Sequence, residues 1–236
     1  MKSTVDEIRE RFDNDVERFS DLETGQSATI DAPLCLELIA EAASVVTPHA
    51  ESILDIGCGA GNFTLKLLQR FEGADVTLID LSRPMLDRAQ ARIGRAKAGR
   101  VRAIQGDIRE VELGDHQFDV VIAAAVLHHL RSDREWSAAC ARVFDSLKPG
   151  GSFWVFDLIS HQHAPVQDAM WQRYGQYLAG LKGEAYRDDV FAYIEKEDSP
   201  VPLMTIVDHL RLAGFTDVEV LHKHNCYAAL GGVKPA

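Results

Sequence analysis

Cysteine is scarce and scattered. Cys35, Cys58, Cys140 and Cys226 are the only four in 236 residues, and without a CxxC pair neither a zinc ribbon nor a disulfide framework can be read from them. The expected compartment is reducing. There is no internal repeat and no Pro/Gly/Ser-rich tract, so disorder is expected at most near the ends. No stretch approaches the roughly 20 apolar residues that span a bilayer, and Met1–Glu7 lacks the apolar run of a signal peptide. The expectation is a cytoplasmic protein with no membrane partner. Positive charge is also short: 25 Lys and Arg against 36 Asp and Glu leave a net charge of −11, which repels a phosphate backbone unless a local basic patch exists. The nearest candidate contains Arg88, Arg92, Arg95, Lys97, Arg100 and Arg102, and it reads as the solvated face of a helix and a loop.

What is present suits one α/β domain. Val5, Ile8, Phe12, Val16 and Phe19 recur at helical spacing over residues 4–19, and Thr4 and Glu7 are placed as a capping box. A polar turn through Thr24, Gly25 and Gln26 follows. Asp31 stands where an N-cap belongs, Pro33 falls in the first turn, and a second helix runs through Leu34, Leu38, Ile39, Ala42 and Val46. From residue 52 short apolar runs alternate with helical periods: Ile53–Ile56, Val76–Asp80, Val101–Ile104, Phe118–Ile122 and Gly151–Phe156. That rhythm predicts βαβ units in a mainly parallel sheet with helices on both faces. Residues 159–202 read as a helical insertion with Trp171, Tyr174, Tyr177, Tyr186, Phe191 and Tyr193. A helix from Leu203 to Leu212 stops at Gly214, and two strand-like runs close the chain.

The most informative segment is Asp55-Ile56-Gly57-Cys58-Gly59-Ala60-Gly61-Asn62, a glycine-rich turn from an apolar strand into a helix. Such glycines let the chain turn sharply and bring backbone close to a ligand. The spacing departs from the dinucleotide fingerprint, whose third glycine would be Asn62 or Thr64, and the Gly-Lys-Ser/Thr of a P-loop is absent. A nicotinamide oxidoreductase is therefore disfavoured. An acidic residue two before three alternating glycines, followed by Asp80 at the end of the second strand, resembles the class I S-adenosylmethionine-dependent methyltransferases over roughly residues 50–160.

The resemblance implies a Rossmann-like fold with a seven-stranded sheet, a cofactor-binding core at 50–158 and a helical cap formed by residues 1–48, 159–202 or both. It implies S-adenosyl-L-methionine as cofactor and S-adenosyl-L-homocysteine as product. The residues it points to for that ligand are Asp55, Gly57, Cys58, Gly59, Gly61, Asp80, Leu81, Met85, Asp107, Ile108 and Ala124. Asp80 would accept from ribose hydroxyls, Leu81 and Met85 would pack on adenine, and Asp107 and Ile108 would meet its edge. Asp55 has an alternative, fixing the glycine loop through its N–H groups. His128, His129 and Asp157 are the candidates near strand ends for proton transfer, needed only if the acceptor must lose a proton. His129 reads as pocket-shaping at least as well, and Asp157 as a cap.

The acceptor reads as a small molecule, with nucleic acid disfavoured and a homodimer open, since the N-terminal helix serves a dimer as readily as a lid. The aromatic set from Trp171 to Tyr193 has two readings, a lid over the acceptor or a hairpin packed on the sheet. A diffuse C-terminal similarity to the carboxy-S-adenosylmethionine synthase group of tRNA modification lacks that group's arginine near Val190–Tyr193, although Arg187 is close. A non-catalytic S-adenosylmethionine-binding protein is a further alternative. His222, His224 and Cys226 share a strand face but, at about 6.6 Å per alternate step, span too far to meet on one ion, so no metal is expected there.

Overall fold

The computed structural model describes residues 2–21 and 27–236; the turn expected through Thr24, Gly25 and Gln26 lies outside them. Near-continuous apolar runs such as Phe118–Ala124 have no polar face to offer water, so they form strands covered on both sides. The strands are β1 (Ser52–Ile56), β2 (Asp75–Asp80), β3 (Val101–Gln105), β4 (Phe118–Ala124), β5 (Leu147–Leu158), β6 (Thr216–His224) and β7 (Tyr227–Val233). They form one sheet in the order β3-β2-β1-β4-β5-β7-β6. The first five are parallel, and the closing hairpin adds β7 antiparallel to β5 and β6 antiparallel to β7. The fifth strand starts at Leu147 rather than Gly151, with a register break opposite Phe118 and Val120 that the turn-like Lys-Pro-Gly-Gly run conceals.

The helices are α1 (Val5–Asn14), α2 (Val16–Ser20), α3 (Ala32–Val46), α4 (Asn62–Leu67), α5 (Arg83–Ile93), α6 (Asp133–Ser146), α7 (Ala164–Lys182), α8 (Glu184–Glu197) and α9 (Leu203–Ala213). Strand alternation divides the core between the two sheet faces. Val120, Ile122, Trp154 and Phe156 join Ile39, Phe63 and Tyr174 on one side. Their chain neighbours Val121, Phe153 and Val155 join Trp136, Val143 and Leu210 on the other. Each such fully buried large side chain contributes about 1.5–3 kcal/mol.

The capping box of Thr4 and Glu7 forms, but the helix expected over residues 4–19 is two helices, broken at Asp15 with φ −109° and ψ 13°. Asp31 occupies the N-cap position of α3 in a left-handed conformation, φ 59° and ψ 21°, and makes no side-chain cap. Its carboxylate instead accepts from His222 and His224 on β6. The aromatic hairpin of α7 and α8 packs on the core: Trp171 stacks on Phe191 with ring centroids 4.8 Å apart, and the Tyr174 hydroxyl donates to Ala28 O.

Candidate active site

The strand order reverses between β1 and β4, and in open α/β sheets the crevice at that point, beyond the strands' carboxyl ends, is where ligands bind. A cleft of about 1050 Å³, open mouth included, lies there. That is at the upper end of the roughly 300–1,000 Å³ of small-molecule sites. Its floor is the glycine turn. Gly57, Gly59 and Gly61 all have positive φ, at 65°, 49° and 81°, which side-chain-bearing residues adopt only with strain. The turn is pinned to the next strand, because the Gly57 and Cys58 N–H groups both donate to Ile79 O at 2.8 and 3.0 Å.

Asp80 ties the turn to the start of α5. Gly59 N–H donates to its Oδ2 at 2.8 Å and Ser82 N–H to its Oδ1 at 2.9 Å. Burial raises its pKa to about 6, against the two backbone bonds, which favour the anion. Asp55 is more deeply buried, and burial pushes it up to about 7. Its hydrogen-bond partner is Thr64, whose hydroxyl donates to Oδ2 at 2.5 Å. Asp55 thus anchors the first turn of α4, in place of the expected bonds to the glycine loop. Cys58, Leu81, Met85, Ile108 and Ala124 line the cleft, as does Asp107. Both Asp107 oxygens are held by Arg109, at 2.9 Å to Nε and 2.5 Å to Nη2. Burial works to raise the Asp107 pKa, and the Arg109 hydrogen bonds more than reverse it, holding the carboxylate ionised.

Gly57 is the turn's least replaceable residue. A Cβ there would lie 2.4 Å from Val126 Cγ2, and the left-handed backbone adds about 1–2 kcal/mol. Gly57→Ala is therefore expected to lower stability by about 2–4 kcal/mol once overpacking is included. Thermal denaturation checks this, and adding Val126→Ala should recover only part of the steric cost, because the Val126 Cβ that alanine keeps would itself lie 2.6 Å from the new Cβ, and should leave the backbone part.

The three candidates for proton transfer are not equivalent. His129 lines the cleft, whereas His128 and Asp157 do not. Asp157 is fully buried and accepts from three donors: His128 Nδ1, the His128 N–H at 3.1 Å and the Leu158 N–H at 2.7 Å. The strand-end aspartate reads here as a positioning residue for His128. Burial opposes charge on His128, and Asp157 with Asp198 overcomes it, raising the pKa to about 9. Burial, the adjacent His128 charge and Arg11 push His129 well below the usual imidazole range. His129 is thus neutral, and neither of its buried ring nitrogens has a hydrogen-bond partner among the described residues.

Val5, Ile8, Phe12 and Phe19 of α1 and α2 close over the cleft. Their amphipathic spacing marks a buried face but not the surface it covers, which is why the sequence left a lid and a dimer contact equally open; in the structure this face covers the cleft. Arg11 fixes this cover to the end of α8, with Nε 3.0 Å from Glu197 Oε2 and Nη2 donating to Tyr193 OH at 2.6 Å. None of the aromatics from Trp171 to Tyr193 lines the cleft, nor does Arg187, which pairs with Asp188 at 2.8 Å. The basic run also finds partners within the chain: Arg92 donates to Ala60 O and Asn62 Oδ1, Arg88 pairs with Glu17, and Lys97 with Glu72.

Fold and cleft together define a Rossmann-like α/β protein whose cleft opens at the carboxyl edge of its parallel strands. Residues 53–151 match the family model described as a methyltransferase domain. An uncharacterized methyltransferase of Mycobacterium tuberculosis is 34% identical over 138 residues, covering 58% of this chain and 64% of the relative. Trans-aconitate 2-methyltransferase of Deinococcus radiodurans is 35% identical over 117 residues, covering 50% of this chain and 41% of the relative. The chain thus spans less than two thirds of the length of these relatives. An O-methyltransferase family protein from Burkholderia thailandensis superimposes with a TM-score of 0.69 at 19% identity, over 96% of this chain and 62% of that one. A Haemonchus contortus phosphoethanolamine N-methyltransferase, solved with S-adenosylhomocysteine, gives 0.65 at 18% identity, over 95% and 61%. Residues 53–151 are thus similar to the methyltransferase domain family, and the fold is the Rossmann-like one seen in solved S-adenosylmethionine-dependent methyltransferases.

Proposed function

We propose that the protein is an S-adenosylmethionine-dependent methyltransferase acting on a small-molecule acceptor. The observation that carries this reading is the joining of the glycine turn to Asp80 beneath a cleft roofed by α1 and α2. The residues present fit the cofactor. Asp80 would accept from the ribose hydroxyls, Leu81, Met85 and Ile108 would flank the adenine, and the glycine turn would admit the amino-acid end without a Cβ in the way. Asp107, ionised against Arg109, keeps lone pairs for an exocyclic amine. When bound, the sulfonium supplies an already activated methyl group and leaves as S-adenosylhomocysteine.

The protein's own work is then alignment and exclusion of water, and alignment of this kind is worth about 7–11 kcal/mol. Phe12 and Phe19 shut the mouth, and neutral His129 offers a ring nitrogen to an acceptor hydroxyl or amine. An acidic surface of net charge −11, with much of the basic run spent on internal pairs, favours a small acceptor over RNA. Incubation with methyl-labelled S-adenosylmethionine and either a metabolite pool or total RNA tests this, with label expected in the metabolites. Label in RNA alone would overturn the acceptor class. Should His129 take the acceptor's proton, His129→Gln lowers kcat by roughly 10²–10⁴-fold. A pocket-shaping role would instead raise KM with little change in kcat.

A further inference from the structure

Away from the cleft, at the outer edge of the sheet, three side chains converge. Asp31 Oδ2 accepts from His222 Nε2 at 2.9 Å and from His224 Nδ1 at 2.8 Å. One candidate ligand atom from each residue lies within 4.8 Å of the other two. The strand spacing that separates alternate residues is overcome because the two histidines use different ring nitrogens, with rings 6.3 Å apart at 88°. Cys226, the third residue of the row, is buried and takes no part. The left-handed backbone of Asp31 turns its carboxylate from the α3 N–H groups it would ordinarily cap towards the imidazoles.

We propose that Asp31, His222 and His224 bind one divalent ion of the zinc class. Two imidazole nitrogens and a carboxylate oxygen suit zinc, cobalt or nickel rather than the all-oxygen preference of calcium or magnesium. Ligand atoms bonded at about 2.0–2.2 Å to a tetrahedral ion sit about 3.3 Å apart. Opening the present contacts by a few tenths of an ångström, through rotation of the half-exposed His224, admits the ion. The three side chains are 33%, 23% and 47% exposed, which leaves a coordination position for water. The ion would clamp the start of α3 to β6, an edge strand otherwise held on one side only. The other histidine and carboxylate cluster, His128, His129 and Asp198, reaches the cleft through His129, and its His128 is committed to Asp157.

The test uses the full chain, freed of any histidine tag and stripped with a chelator. Titration with Zn²⁺ by calorimetry and with Co²⁺ by visible absorption is expected to show one equivalent bound. Zn²⁺ should also raise the Tm. His222→Ala and His224→Ala should each weaken binding at least about tenfold, since losing even an outer partner of a ligand costs 10–100-fold, and should remove the Tm increase. Melting in chelator verifies that these partly exposed variants fold. No uptake by the wild type, or uptake that persists in the double variant His222→Ala/His224→Ala, would overturn the proposal. Neither outcome bears on the cleft, whose ligand is measured separately.

Discussion

Asp157→Ala is expected to destabilise the protein by about 3–5 kcal/mol, the usual consequence of removing one member of a buried pair. For a chain of this length that lowers the Tm by roughly 6–20 °C. The cause is local. Asp157 is 1% exposed, and its loss strands the His128 ring and the backbone N–H groups of His128 and Leu158 without an acceptor. Asp157→Asn keeps an acceptor for the backbone but not the charge, and should cost less. The pair also sets a pH dependence. Folded His128 keeps its proton up to about 9, whereas an unfolded histidine loses it near 6.5. Its contribution is fully present below pH 6.5 and is lost as the pH rises through 9, about 3 kcal/mol in all. The stability difference between wild type and Asp157→Asn, measured by urea denaturation, should therefore shrink from pH 6.5 to pH 9. A constant difference would show that His128 is neutral in the folded protein.

Asp80→Ala should weaken S-adenosylhomocysteine binding by roughly 10²–10⁴-fold. Hydrogen bonds to a charged group contribute about 1.5–3 kcal/mol each, and two ribose hydroxyls would depend on this carboxylate. The variant also frees the Gly59 and Ser82 N–H groups, so the floor of the cleft loosens as the contacts go. Because the accepting form is the anion and its pKa is about 6, wild-type affinity should rise from pH 5 to pH 7.5. It should change by at most tenfold per unit below pH 6. Binding that is flat over this range would remove Asp80 from direct contact.

The parts of this fold that were legible in the sequence are those where local backbone chemistry admits one solution. A Gly-x-Gly-x-Gly turn after an apolar strand favours left-handed φ, found at residues 57, 59 and 61, and Asp80 at the carboxyl end of the second strand stands beside that turn, whereas Asp157 at the end of the fifth is turned inward to His128. Burial direction was less legible. The spacing of Ile8 and Phe12 announced an apolar face, yet only tertiary packing decides that it roofs the cleft while the hairpin of Trp171 and Phe191 lies on the sheet. Arg109 carried no periodic signal, being recognised only by where Asp107 stands. Asp31 illustrates a different failure. Its position before Pro33 matched an N-cap, but two histidines 191 and 193 residues away outcompete the helix for its carboxylate.

The measurement that bears most directly on the cofactor site is a calorimetric titration of ligand-stripped wild type with S-adenosylhomocysteine. Binding of one equivalent in the micromolar range is the predicted result. Absence of binding by protein that melts cooperatively would contradict the account, and the glycine turn would then have to serve another nucleotide.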